Sequence, residues 1–203
     1  MAETSSQTEA KYIWKPGEDN RYSNVLFRYT FSLRAAPEEA ELHLFADTRY
    51  RLIVNGTTVC HGPSRFMKAY PEYDSVSIAP YLASGDNVIA VMVAAFHHGS
   101  FLSDSGPGGL IAWASITDAD GVVLDIATGP EWKVIPSPAH RDGMPDLSFA
   151  VGPGEWLDAR RLDPRWAEAG FDDSGWSRAS VVERPPWKHL QPRSIPMLDE
   201  REA

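Results

Sequence analysis

Residues 25–33 read VLFRYTFSL, with Val25, Phe27, Tyr29, Phe31 and Leu33 at every second position and Arg28, Thr30 and Ser32 between them. Side chains of an extended chain point alternately to its two faces, so this period of two predicts a half-buried antiparallel strand. The pattern recurs at 41–46, where Leu42, Leu44 and Ala46 alternate with Glu41, His43 and Phe45. A strand at 50–54 runs into Asn55-Gly56, which supplies the two positive-φ residues of a tight type I′ turn, and 57–60 returns. Further strands are predicted at 73–78, 87–96, 109–116 and, after the Asp120-Gly121 turn, 122–126. Segment 87–96, NVIAVMVAAF, is almost wholly apolar and reads as a central strand covered on both faces; the alternating strands each show one face to water. Short strands at regular spacing predict an all-β antiparallel β-sandwich or barrel. One short helix is predicted near the C-terminus, with Asp163 as N-cap, Pro164 in the first turn, 165–169 as body and Gly170 as the stop.

The chain has 203 residues, 43% hydrophobic and 23% charged, a globular composition. At this length a single core removes roughly 70% of the unfolded surface from water. The formal net charge of −9 repels phosphate backbones and anionic lipid heads, so neither nucleic acid nor a membrane surface is expected as a partner. Cys60 is the only cysteine, which excludes an intrachain disulfide and a cysteine-rich zinc site. The longest apolar run falls far short of the roughly 20 residues that cross a bilayer. The opening MAETSSQTEA has no basic or apolar signal region. The reading is of a soluble chain, cytoplasmic or exported after processing.

Residues 1–11 are read as a mobile arm, 12–186 as a single sandwich domain and 187–203 as an extended linker. Beyond residue 130 the chain is rich in proline and carries Trp132, Trp156, Trp166, Trp176 and Trp187. So much aromatic area must be buried, which predicts that this stretch wraps back over the sandwich and lends it a few short strands.

No nucleophile elbow, phosphate loop, zinc helix or dinucleotide fingerprint is present. The glycine cluster at 105–109 precedes a strand and reads as a loop close to another backbone. His97 and His98 should point to opposite faces, the wrong geometry for a shared metal, and no metal or cofactor is assigned. Glu155 with Asp158, or Asp172 with Asp173, supply paired carboxylates of the kind a glycosidase uses. The run Asp172-Asp173-Ser174-Gly175 reads instead as turn chemistry, with short acceptors satisfying backbone amides. Asn55-Gly56-Thr57 matches a glycosylation sequon, which the hairpin alone accounts for. Arg65, Phe66, Tyr70, Glu72 and Tyr73 lie in or beside one loop between strands. Flat apolar rings beside fixed donors and acceptors suit a sugar surface; the plainer reading, that these aromatics roof the sandwich core, is the preferred one, since isolated aromatics most often serve packing.

Four stretches in order, ADTRYRLIVNGTTVCHGPSR (46–65), YDSVSIAPYLASGDNVIAVMV (73–93), GEWLDARR (154–161) and GFDDSGW (170–176), resemble the N-terminal β-sandwich module of bacterial α-L-rhamnosidases. The similarity spans residues 22–187. It implies a jelly-roll, galactose-binding-like sandwich, and an intact enzyme that removes terminal L-rhamnose with inversion. In that family the acid and base carboxylates sit in a downstream helical barrel, so no catalytic residue carries over to any position here. QPRSIPML (191–198) looks like the stretch by which such modules run on into the next domain. The resemblance implies a non-catalytic accessory module whose partners are a glycosidase catalytic domain C-terminal to it and a rhamnose-containing glycan. The alternatives are a free-standing lectin-like protein and, last, an independent hydrolase using Glu155 and Asp158.

Overall fold

The computed structural model of the chain describes residues 5–17, 21–101, 104–118 and 120–198. In chain order it contains a one-turn helix α1 (Ser5–Glu9), β1 (Ile13–Trp14), β2 (Ser23–Leu33), β3 (Glu39–Asp47), β4 (Arg49–Val54), β5 (Thr57–Gly62) and β6 (Glu72–Ser77). β7 (Gly85–Ala95), β8 (Gly109–Thr117), β9 (Val123–Ala127) and β10 (Lys133–Pro136) follow. The rest is a run of short strands: β11 (Asp146–Ser148), β12 (Gly152–Pro153), β13 (Ser177–Arg178), β14 (Ser180–Val181) and β15 (Gln191–Pro192). Two main sheets result, ordered β14-β1-β8-β3-β6-β15 with β9 beside β8, and β13-β10-β2-β7-β4-β5. From β2 to β8 the chain changes sheet at almost every step, so the strands form an antiparallel sandwich, as the alternation and spacing predict, and one of the jelly-roll type that the resemblance implies.

The apolar run at 87–96 becomes β7, which pairs with β2 along its whole length, from Ser23↔Ala95 to Leu33↔Gly85, and with β4 on its other edge. It is therefore central and buried on both faces. Between the sheets, Val25 and Phe27 of β2 and Val91 of β7 pack against Leu42 and Leu44 of β3 and Ala112 of β8. The Asn55-Gly56 turn has φ values of 49° and 82°. Its side chain is also structural: Asn55 Nδ2 donates to the carbonyl of Tyr81 and to Asn87 Oδ1, each at 2.8 Å, and its Oδ1 accepts from the amide of Val88.

The outer faces depart from the alternation. Arg28 and Phe45, placed by periodicity on the watery side, are both fully buried. The cause is the tryptophan-rich segment. Trp166 and Ala167, with Phe171 and Trp176, cover Leu26, Ile53, Val88 and Ala90 on the outside of one sheet. Trp187, Tyr12 and Phe66 cover Phe45, Ile111 and Trp113 on the outside of the other. The predicted helix near the C-terminus is a shorter 3-10 turn, Pro164–Ala167, whose Asp163 cap accepts from the amide of Arg165 at 3.0 Å.

Both termini also differ from their reading. The stretch read as a mobile arm contains α1, with Ser6 buried, and Ala10 in the outer aromatic cluster; residues 1–4 lie outside the described ones. The stretch read as a linker is held to the sandwich from Trp187 to Met197. Trp187 Nε1 donates to buried Asp47 at 2.8 Å, β15 lies parallel to β6, and Arg193 Nη1 donates to fully buried Asp74 at 2.7 Å. The glycine cluster does approach something closely, but it is two indoles rather than a backbone: a Cβ on Gly108 would overlap Trp14, and one on Gly109 would overlap Trp187.

Candidate functional site

The loop between β5 and β6 is clamped from outside by the docked C-terminal strap. The amide of Lys188 donates to the carbonyl of Lys68 at 3.0 Å, and that of Gln191 to Pro71 at 3.0 Å. Between loop and strap lies an open cleft of about 380 Å3, lined by Arg65, Phe66, Met67, Tyr70, Glu72 and Gln191. Four of the five residues singled out in the sequence thus share one depression. Tyr70 is 56% exposed and stacks on His189 with ring centres 5.4 Å apart. That contact fixes the ring, which remains exposed. Phe66, at 7% exposure, belongs to the core roof: it meets Phe45 edge to face at 4.8 Å.

Glu72 supplies a fixed acceptor. Its Oε2 accepts from Ser64 Oγ at 3.1 Å and from the amide of Ser194 at 3.3 Å. Partial burial alone would raise its carboxyl, but the hydrogen bonds from Ser194 and Ser64, together with Arg193 nearby, outweigh this and hold it below the ordinary glutamate range. Glu72 is therefore ionised at neutral pH. Arg65 is exposed and lines the same cleft as a donor. Tyr73 is not among the lining residues: it is half-buried, edge to face with Trp113 at 4.9 Å and with His43 at 5.5 Å. Sequence reasoning missed Met67, Gln191 and the ring support from His189. Trp187 was the available signal, because so large an apolar side chain beside a supposed linker has to dock somewhere.

The carboxylates considered for catalysis are engaged locally. Asp158 is bound by the Arg160 guanidinium at 2.7 and 2.8 Å, which holds its carboxyl low. Asp172 accepts from the amide of Ser174 at 2.9 Å, as turn chemistry predicts. Asp173 does not follow the turn reading, since it accepts from buried Arg28 Nε at 2.9 Å. Glu155 lies 3.1 Å from His140 Nε2. A broad groove of about 720 Å3 is lined by exposed Glu38, Glu39 and Glu41 and by Asp118. Asp118, the buried member, accepts from the amides of Asp120 and Val122, so it too is structural. His97 meets the edge of Trp14 and His98 stacks on Phe96, so the two rings part, and among the described residues no three His, Cys, Asp or Glu side chains converge as a metal site. Nor, among those residues, is any helix long and apolar enough to cross a membrane.

Comparison with known proteins gives the family. A GH78 family rhamnosidase of Bacillus sp. GL1 superposes with a TM-score of 0.84 and 38% identity, over 93% of this chain and 20% of its own. An alpha-L-rhamnosidase of Streptomyces avermitilis is 27% identical over 111 residues, 52% of this chain and 10% of its own length. A lectin of Pleurotus ostreatus, solved in complex with GalNAc, shares the fold at a TM-score of 0.62 and 23% identity, over 93% of this chain and 46% of its own. The chain thus spans less than a quarter of the length of these rhamnosidases. The family model for the alpha-L-rhamnosidase N-terminal domain matches residues 35–199, and the chain belongs to that family.

Proposed function

We propose that the chain is a non-catalytic accessory β-sandwich module of an α-L-rhamnosidase-like glycoside hydrolase, set against a catalytic domain and holding a rhamnose-containing glycan with weak affinity. The observation that carries the glycan part is the convergence of Arg65, Tyr70 and Glu72 on one open cleft. Tyr70 offers a braced ring for the C–H face of a sugar, Glu72 an ionised acceptor for its hydroxyls, and Arg65 and Gln191 donors. The cleft is open and carries one exposed ring, Tyr70, which supports weak affinity.

The test uses the purified 203-residue chain. It is expected to show no turnover of aryl α-L-rhamnosides, and hydrolysis that survives rigorous purification overturns the accessory reading. Isothermal titration with L-rhamnose and rhamnose-containing oligosaccharides is expected to give weak, saturable heat. Tyr70→Ala should reduce that affinity by roughly five- to tenfold, the loss of one stacking contact. The lectin-like fold match favours a second reading, a free-standing lectin, which predicts micromolar binding of one defined sugar instead.

A further inference from the structure

On the other sheet, beside the 3-10 turn that carries Trp166, lies a second cavity of about 390 Å3 whose walls include Arg51, Ile53, Met92, His140, Glu155 and Trp166. Arg51 and Ile53 come from the outer face of β4 and Met92 from the neighbouring β7, paired in register with Arg51. These positions sit on the rigid centre of the sandwich. Arg51 Nε is shielded from water and has no hydrogen-bond partner among the described residues. A guanidinium N–H in that condition is a strong donor awaiting an acceptor.

The acceptor side is also built. His140 is buried, and its Nδ1 lies 2.7 Å from Ser137 Oγ while its Nε2 lies 3.1 Å from Glu155 Oε1. The imidazole thus ties the Glu155 carboxylate to the sandwich on one side. The Glu155 side chain is 60% exposed, which leaves it open to a solute. Serine, histidine and glutamate in a row are not a nucleophilic triad here, because the serine is the buried end and the acid the exposed one, the reverse of what acyl transfer needs. Their arrangement positions a carboxylate.

The charges select the ligand class. Arg51 would attract an anion and Glu155 would repel it, and a cation meets the opposite pair of forces. A neutral molecule that both accepts and donates hydrogen bonds, with an apolar face for Ile53, Met92 and Trp166, satisfies all three features. We infer that the Arg51–His140–Glu155 cavity is a second binding site, separate from the Tyr70 cleft, for an uncharged polyhydroxylated ring such as a neutral monosaccharide unit.

Met92 lines this cavity and Met67 lines the Tyr70 cleft, so methyl-labelled methionine reports each site by its own resonance, assigned with Met92→Leu and Met67→Leu. The 203-residue chain is titrated with methyl α-L-rhamnoside, methyl β-D-galactoside and methyl β-D-glucoside. A saturable shift of the Met92 methyl with at least one of them is expected. Arg51→Met or Glu155→Gln should weaken it roughly tenfold, as for a hydrogen bond to a charged group, while Tyr70→Ala leaves it unchanged. Glu155→Gln keeps the shape of the side chain and is the variant that decides if Arg51→Met fails to fold. A Met92 methyl unmoved by all three sugars up to their solubility, or moved equally in wild type and Glu155→Gln, overturns the inference. Movement of Met67 alone would overturn this site and leave the Tyr70 cleft standing.

Discussion

Removal of the Arg28 side chain tests whether the tryptophan-rich segment is held to the sandwich by one buried cation. Arg28 is fully buried in the middle of β2. Its Nε donates to Asp173 at 2.9 Å, Nη1 donates to the carbonyls of Trp166 and, at 3.1 Å, Glu168, and the guanidinium lies 5.1 Å from the Phe171 ring. Arg28→Ala deletes a charge-assisted hydrogen bond worth about 1.5–3 kcal/mol and strands two carbonyls that each lose about 1 kcal/mol. A further ~1 kcal/mol of cation–π attraction goes with them. Partial rehydration through the exposed edge of Asp173 returns some of this, so the expected net loss is about 4 kcal/mol. For a chain of this size that corresponds to a fall in Tm of roughly 8–16 °C.

Asp173→Asn leaves the cation buried without its carboxylate but still bonded to carbonyls, and should cost about 3 kcal/mol, the low end for breaking a buried pair. Urea titrations followed by tryptophan fluorescence and far-ultraviolet circular dichroism give both numbers and their double-mutant coupling. A loss below about 1 kcal/mol for Arg28→Ala, or strict additivity of the two substitutions, would refute the reasoning. Arg28→Met separates packing from charge: if most of the loss persists in this variant of similar length, the hydrogen bonds are responsible rather than the filled volume.

Two further outcomes follow from the same structure. Asn87 is fully buried; its Nδ2 donates to the carbonyls of Ala83 and Gly85, and its Oδ1 accepts from the amide of Ala83 and from Asn55 Nδ2. Asn87→Ala should therefore destabilise by about 3 kcal/mol in the same urea assay, because the hydrogen bonds of one buried amide to Ala83, Gly85 and Asn55 are lost at once. His43 lies against the Trp113 ring, and burial pushes its imidazole below the ordinary 6.5, with Glu41 opposing. A base with a depressed folded pKa gives stability that is present above the unfolded value and lost as pH falls, since the unfolded chain takes the proton first. The urea midpoint should thus drop between pH 7.5 and 5.5, and His43→Gln should shrink that drop; an unchanged drop in the variant would remove His43 as its source.

The inward faces were legible in the sequence and the outward faces were not. Alternation around Val25 and Phe27 identified which side of β2 meets the other sheet, because period two is a property of the backbone alone. It then assigned Arg28 and Phe45 to water. Whether an outer face stays wet depends on what later chain lies on it, and that is a contact between residues more than a hundred positions apart, as in Arg28 with Asp173 or Asp47 with Trp187. The tryptophans announced that such cover exists but not where it lands. The Tyr70 cleft was half legible for the same reason: Arg65, Phe66, Tyr70 and Glu72 are neighbours in the chain, while Gln191 and the His189 brace arrive from the strap. The Arg51 cavity joins positions from β4, from β7 and from the loop after β12, so neither motif nor spacing revealed it.

Cover on both outer faces has a consequence for where a small molecule can bind at all. Where Trp166 and Trp187 roof the sheets the outer faces are taken up by the chain itself, and the Tyr70 cleft and the Arg51 cavity lie at the edges of those roofs. Two such margins, the Tyr70 cleft and the Arg51 cavity, each pair one arginine with one glutamate, Arg65 with Glu72 and Arg51 with Glu155. On a molecule of net charge −9 that local balance contrasts with the broad groove of Glu38, Glu39 and Glu41. A strongly acidic groove holds water and counter-ions, whereas a balanced pair on a rigid sheet favours ligands that carry hydroxyls and no charge. The electrostatics of these margins, more than the fold they share with other sandwiches, is therefore what makes a neutral glycan the ligand to test.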